Sequence, residues 1–564
     1  FITVSGFSPL GDEYNNPQQS TTTGFQLQNN TTYAKGQHFL KFGFDVRGIR
    51  QNAFRDVQSR GFLTFSDYVP ITTNALADLL LGFPMLTGGA ILNNPQRLRT
   101  ESYSFYINDN WQLSDNFTVS AGIRYELVSP PVDANDQASI YDPATKSLVN
   151  VGTSIPRSGY KTDRNNVAPR LGLVWTPGKN SDTAVRAGYG LYYDQSPLAP
   201  GEGLYFNAPF FNFNLFYSLP GLPVTLSNPF PENFLFPTPQ SALTYQRDLQ
   251  TPYFHHFNIG VQQQLGISRM VELTYAGSRG RNLLASRDIN QPQPSPVPFN
   301  PRPMPLFDDI TAIESRATSA YNSLQFKIQQ RPHKGVSFLA SYTLSKSVDD
   351  SSGFFATSGD PNFPQDSFNL TAERGRSNFD IRHYFSIGFG YELPFGNGKA
   401  YLYNNGWVTT ILGNWEVHGI MTLHSGRPFT VALLSEIDNS NTGRSVLGFG
   451  ANDRPNLTGD AQMGNPSPDQ WFDTAAFTLP PSGSFGNAGR NILEGPGYQN
   501  LNLGLIKRID ITNSARLNFR LEAFNLLNYN NFNLPDNFFG SPTFGQILSA
   551  GSPRRLQLGC SLEF

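Results

Sequence analysis

A single cysteine, Cys560, stands among 564 residues, so neither an internal disulfide framework nor a cysteine-based metal site can form within the chain. Charge is also scarce. Charged residues make up 15%, and 41 Lys and Arg against 43 Asp and Glu leave a net −2. Neither sign dominates, which removes the electrostatic argument for nucleic acid as a partner. No apolar run approaches the ~18 residues that a membrane-crossing helix needs. That absence leaves membrane-crossing strands open, because only every second residue of such a strand must be apolar. Catalytic signatures are missing as well. There is no G-x-S-x-G and no H-E-x-x-H, and Gly396-Asn397-Gly398-Lys399 lacks the upstream glycine of a phosphate-binding loop. The expected catalytic, cofactor-binding and metal sites are therefore none. The chain opens on Phe1 with no charged-then-apolar leader, so it reads as a fragment with any export signal upstream.

What the chain has in quantity is aromatic residues (13%), glycine (51) and proline (42), and above all an alternation of period two. It is clearest at the end. Leu556, Leu558, Cys560, Leu562 and Phe564 alternate with polar or tiny residues, and the chain stops on an aromatic. Successive strand side chains point to opposite faces, so this is a strand with one apolar and one polar face. The ending resembles the terminal strand of bacterial outer-membrane barrels. The same pattern recurs in Leu40-Phe42-Phe44-Val46, in Phe117 to Leu127, in Ala187 to Tyr193, and in Leu324-Phe326-Ile328. It continues in Val336 to Leu344, Phe385 to Leu393, Trp415 to Leu423, Leu501 to Leu505 and Leu517 to Ala523. Runs of ~7–11 residues argue strand over helix, and their length suits tilted strands that cross a bilayer.

Connections alternate between short and long. Short polar turns fall near residues 34–36, 114–116, 177–180, 266–268, 331–335 and 510–513, with a longer one at 394–413. Between these hairpins lie long segments rich in Pro, Asn, Gly and Ser, at roughly 50–98, 128–166, 194–252, 277–320, 345–379, 426–498 and 528–553. Short turns on one side and long loops on the other are the pattern of outer-membrane barrels. Seven hairpins and the terminal strand give about fifteen strands. Single-chain bacterial barrels have even numbers, so fifteen reads as an incomplete wall with two open edges. Such edges are not tolerated against lipid, and the isolated fragment should insert poorly or aggregate. Trp111, Trp175 and Trp415 sit beside turns and Trp407 lies within the one at 394–413, as an aromatic girdle requires. Lys41, Asp45, Arg47, Arg124, Glu126, Lys327, Glu392, Glu416, Arg520, Glu522 and Glu563 all fall on the polar phase. That keeps charge away from lipid, where a mid-membrane cation costs about 2–4 kcal/mol.

Few residues stand out as chemistry. His418 and His424 share a polar strand face ~20 Å apart, too far for one metal, and His255 and His256 point to opposite faces. All four read as pore-lining or loop histidines. Gly277-Ser278-Arg279-Gly280-Arg281 reads as a strand-to-loop exit, and Cys560 as a small lipid-facing side chain. Residues 74–82 predict a short loop helix with Asn74 as N-cap and Gly82 as stop. The aromatic stretch Tyr205 to Phe213 either stacks on ligand or packs the loops together, and packing is favoured.

Seven strings go beyond pattern. They are Tyr321-Asn322-Ser323-Leu324-Gln325, Ser341 to Asp350, Phe379-Asp380-Ile381-Arg382-His383, Tyr391 to Gly396, Ser425-Gly426-Arg427-Pro428-Phe429, Glu522 to Asn528, and Phe544-Gly545-Gln546-Ile547. In this order, before a terminal barrel strand, they resemble Oar-like TonB-dependent receptors of the bacterial outer membrane, from about Phe7 to Phe564. The resemblance implies an all-β, transmembrane antiparallel β-barrel with long extracellular loops, of which this chain holds about fifteen of 22 strands. It implies an extracellular loop remnant at 1–22 and the barrel at 23–564, with plug and upstream strands lying outside the chain. The implied partners are outer-membrane lipid, the chain's own N-terminal plug, the TonB energy-coupling complex through the missing N-terminus, and an unknown extracellular ligand. The implied function is uptake of a bulky nutrient such as a carbohydrate, peptide or chelate. A non-transporting surface or adhesion barrel is the alternative, and a secreted all-β binding protein or enzyme, soluble without detergent, is a third.

Overall fold

In the computed structural model the described residues are all except 13–15, 68–71, 94, 179–181, 195–197, 220, 232–238, 298–299, 355–361, 397, 403–405, 435–436, 444–452 and 513–514. Parts of the turns expected at 177–180, 394–413 and 510–513 therefore lie outside the described residues.

Fifteen long strands form one antiparallel meander. They are β1 (Gln18–Lys35), β2 (His38–Arg55), β3 (Gln96–Ser114), β4 (Phe117–Val128), β5 (Val167–Trp175), β6 (Thr183–Tyr193), β7 (Tyr253–Leu265) and β8 (Arg269–Asp288). The second half holds β9 (Phe307–His333), β10 (Val336–Asp349), β11 (His383–Glu392), β12 (Trp415–His424), β13 (Tyr498–Asp510), β14 (Arg516–Phe524) and β15 (Arg555–Glu563). Each pairs with its sequence neighbour, from β1–β2 through to β14–β15. The short connections at 36–37, 115–116, 266–268 and 334–335 and the strand number match the sequence reading. Among the described residues β1 pairs only with β2, and β15 only with β14. No pairing between β1 and β15 occurs among the described residues.

The strands outrun the alternation that announces them. β9 has 27 residues and β8 has 20, and their ladder continues to Asp288↔Thr311. The long segment expected at 277–320 is thus only 289–306, and Gly277 to Arg281 lies inside paired strand rather than at a loop exit. The reason is physical. Lipid imposes alternation only across its own thickness, while backbone pairing carries on above it, where Ile310 and Ile313 are buried in the cores of the loop layer instead.

The long connections are folded. Ile2–Val4, Phe62–Phe65, Leu86–Leu92 and Phe211–Tyr217 form a four-stranded sheet. The helix α1 (Ala75–Leu81) packs on it, with Ala75 buried against Val4 and Phe65. The Asn74 side chain accepts the Ala77 N–H at 3.0 Å, and Gly82 ends α1 in the left-handed region at φ 82°. Both caps agree with the sequence reading. Asn74→Ala should destabilise this sheet-and-helix unit by about 1 kcal/mol. Faster amide exchange confined to residues 75–81 is the expected readout, and unchanged exchange there would refute the cap.

Candidate functional site

The meander places its two side-chain phases on opposite faces. Across β2, β3 and β4 the rows Phe44–Phe105–Tyr125 and Phe42–Ile107–Ile123 are apolar. On the other face Asp45 accepts from Arg47 Nε at 2.8 Å and Gln26 Nε2 at 2.7 Å, and Arg124 pairs with Glu126. Farther round the same face, Glu416 pairs with Arg508 at 2.7 Å and with His418 at 3.2 Å. Paired and hydrogen-bonded charges belong on the watered side, so this is the face turned away from lipid.

Charges that break the phase rule all sit at the ends of the apolar band. At the turn end, His38 stacks on Trp111 (5.2 Å, 18°) and pairs with Asp109 at 2.7 Å. There too Lys507 lies over the Trp415 ring at 5.7 Å and donates to the Gly413 carbonyl. At the loop end, Arg50, Arg99 and Glu101 follow the last apolar row of β2 and β3. Tyr189 and Tyr342 also meet His255 and His383 there, each at 2.8 Å. Long cationic side chains reach to the interface while their stems cover apolar surface. Phase alone does not pick out His38, Lys507, Arg50 or Arg99, because it takes no account of how far along the strand each one lies, and it is the pairing of His255 with Tyr189 that puts this histidine on the apolar phase instead of the pore-lining one.

Over the loop end lies a layer with cores of its own. One gathers Ile140, Ile155, Tyr160, Leu204, Tyr245 and Ile313, with Tyr160 and Tyr245 edge-on at 5.2 Å. Another gathers Phe429, Val431, Phe472, Phe477 and Leu493, joined by Phe544 at 5.1 Å from Phe472. Two ion pairs inside the layer are almost dry, Arg454–Glu373 and Arg490–Asp349, with side chains 2–5% exposed. Arg490 also donates to the Glu373 carbonyl at 2.9 Å, which ties the 425–497 connection to the 350–382 connection. Burial pushes the Tyr205 hydroxyl well above its usual range, helped by its hydrogen bond to Asp133. Burial acts to raise Asp142, yet the Arg247 hydrogen bond at 3.0 Å and those from Ala144 and Thr145 hold its carboxyl below the ordinary value.

The residues singled out in sequence fall as follows. Tyr205, Asn207, Phe211 and Phe213 are buried, so that stretch packs the loops. His424 stacks between Tyr384 (5.8 Å) and Tyr498 (5.0 Å), apart from His418. His255 and His256 meet different neighbours, Tyr189 and Tyr192. Cys560 is exposed. Among the described residues no group of three or more His, Cys, Asp or Glu could hold a metal ion, and no helix is long and apolar enough to cross a membrane.

A family model described as an outer membrane beta barrel domain matches residues 1–557. The chain belongs to that family. This outer-membrane β-barrel domain resides in the outer membrane. No curated protein sequence matches it. Among solved structures it is similar to the outer membrane transporter YddB from Escherichia coli, at 12% identity and TM-score 0.54, over 97% of this chain and 55% of that one. It also matches the FrpB iron transporter from Neisseria meningitidis (13%, TM-score 0.46, 97% and 55%). A third match is the pyoverdine outer membrane receptor FpvA from Pseudomonas aeruginosa PAO1 (11%, TM-score 0.46, 97% and 53%). The domain spans just over half the length of these structures. At such identity the YddB likeness speaks to fold alone.

Proposed function

We propose that this domain is the larger part of the wall of a TonB-dependent outer-membrane receptor that takes up a bulky ligand. The observation that carries the reading is a charged, hydrogen-bonded inner face roofed by a folded loop layer, a wall built to enclose polar contents and a roof built to select them. The open edges of β1 and β15 support a layout in which 1–22 belongs to an outer loop, 23–564 to the barrel, and seven further strands and a plug precede the chain. Ligand selection is the task of the loop layer, and energy coupling is the task of a segment upstream of Phe1. The carbohydrate, peptide and chelate classes all suit a wide lumen with aromatic and amide-rich loops.

The test is retention of the protein, extracted from its native outer membrane in detergent, on immobilised TonB periplasmic domain. Retention that a competing soluble TonB domain abolishes is the expected result. No retention, with stepwise open-channel conductance in planar bilayers, would overturn the energised reading and leave a passive or adhesive barrel.

A further inference from the structure

A cleft enclosing about 1010 Å³ lies between the loop ends of β1–β3 and residues 129–132 and 156–164 of the next long connection. Five of the strand residues that line it, Phe25, Gly48, Arg50, Arg99 and Glu101, share the phase of the apolar rows. Arg50 and Arg99 are a register pair in the same phase as Val46–Tyr103 and Phe44–Phe105, and stand two rows beyond the last apolar row. At ~7 Å per same-face row that is headgroup height. The connection is pinned to this outer face by the Tyr125 hydroxyl, which donates to the Arg164 carbonyl at 3.0 Å.

The lining carries five cations, Arg50, Arg99, Arg157, Lys161 and Arg164, against one carboxylate, Glu101. Only Arg157 among the five has an ion pair within the described residues, with Asp136. Arg99 is held by the Gln51 carbonyl at 3.0 Å and Asn52 Oδ1 at 2.9 Å, and Arg50 lies over the Phe25 ring at 5.4 Å. Lys161 and Arg164 are exposed. Guanidinium and ammonium groups gathered this way, with Phe25, Pro130 and Val132 beside them, suit a phosphate attached to an apolar body.

We propose that this cleft binds the phosphate-bearing headgroup of an anionic outer-leaflet lipid. A free phosphate would satisfy the same cations. The lipid is favoured because Arg50 and Arg99 continue the apolar rows of the wall, and the connection that covers them is held by Tyr125 of those same rows. The inference rests on outer-membrane residence and not on the transport reading.

The test is native mass spectrometry of the full protein in neutral detergent with added dioleoyl phosphatidylglycerol or phosphatidylcholine. Phosphatidylglycerol should be retained preferentially, and Arg50→Gln/Lys161→Gln/Arg164→Gln should cut its retention more than about tenfold. Lys161→Glu alone changes an exposed side chain and keeps the test open if the triple variant fails to fold; a smaller loss of the same sign is expected. Equal lipid retention by wild type and Lys161→Glu would overturn the proposal. Complete displacement by millimolar inorganic phosphate would overturn the lipid assignment in favour of a soluble anion.

Discussion

Arg490→Met is expected to loosen the outer loop layer by about 3–5 kcal/mol while leaving the strands intact. The side chains of Arg490 and Asp349 are 3% and 2% exposed, and Arg490 further holds the Glu373 carbonyl at 2.9 Å. Removing the guanidinium takes the cation from the buried Asp349 carboxylate, which keeps the Ser352 hydroxyl at 2.9 Å, and strips the contact between two connections. Amide exchange should rise across 350–382 and 425–497, and limited proteolysis should cut there first. The double variant Arg490→Met/Asp349→Leu should recover much of the loss, because an apolar pair in place of a buried ion pair is often neutral. If the single variant exchanges as slowly as wild type, the pair does not hold the roof together, and the folded-roof element of the receptor reading falls with it.

The second large effect concerns the wall. Ile107 sits in the middle of the apolar band, between Phe42 and Ile123, and is 49% exposed. Facing lipid, Ile107→Arg should cost about 2–4 kcal/mol in chemical unfolding from phospholipid vesicles. Lys41, next to Phe42, is already a cation at comparable depth on the opposite face, and Lys41→Met should change stability by less than about 1 kcal/mol. A harmless Ile107→Arg would mean that this face does not meet lipid. The paired result assigns the two faces of the sheet independently of any ligand.

Much of this architecture is legible in the sequence. Apolar residues at every second position from Leu40 to Val46 or from Leu556 to Phe564 announce strands, because a bilayer demands that one face be apolar and is indifferent to the other. Turn residues and the rhythm of short and long connections place the seven hairpins. Asn74 and Gly82 bracket a helix because capping is local chemistry. The candidate site was far less legible. Arg490 with Asp349, Arg454 with Glu373, and Arg50 with Arg99 are 141, 81 and 49 positions apart. No local pattern marks such partners.

The sequence by itself determined the strand number and the two faces of the sheet, since each follows from short-range periodicity against a fixed solvent. Only the tertiary structure decided how far the strands run beyond the bilayer, that the Pro- and Asn-rich connections build cores, and which charges meet. Those outcomes depend on pairing between distant segments. Hydrogen-bond ladders and buried ion pairs form wherever the chain brings complementary groups together, whatever their separation along it.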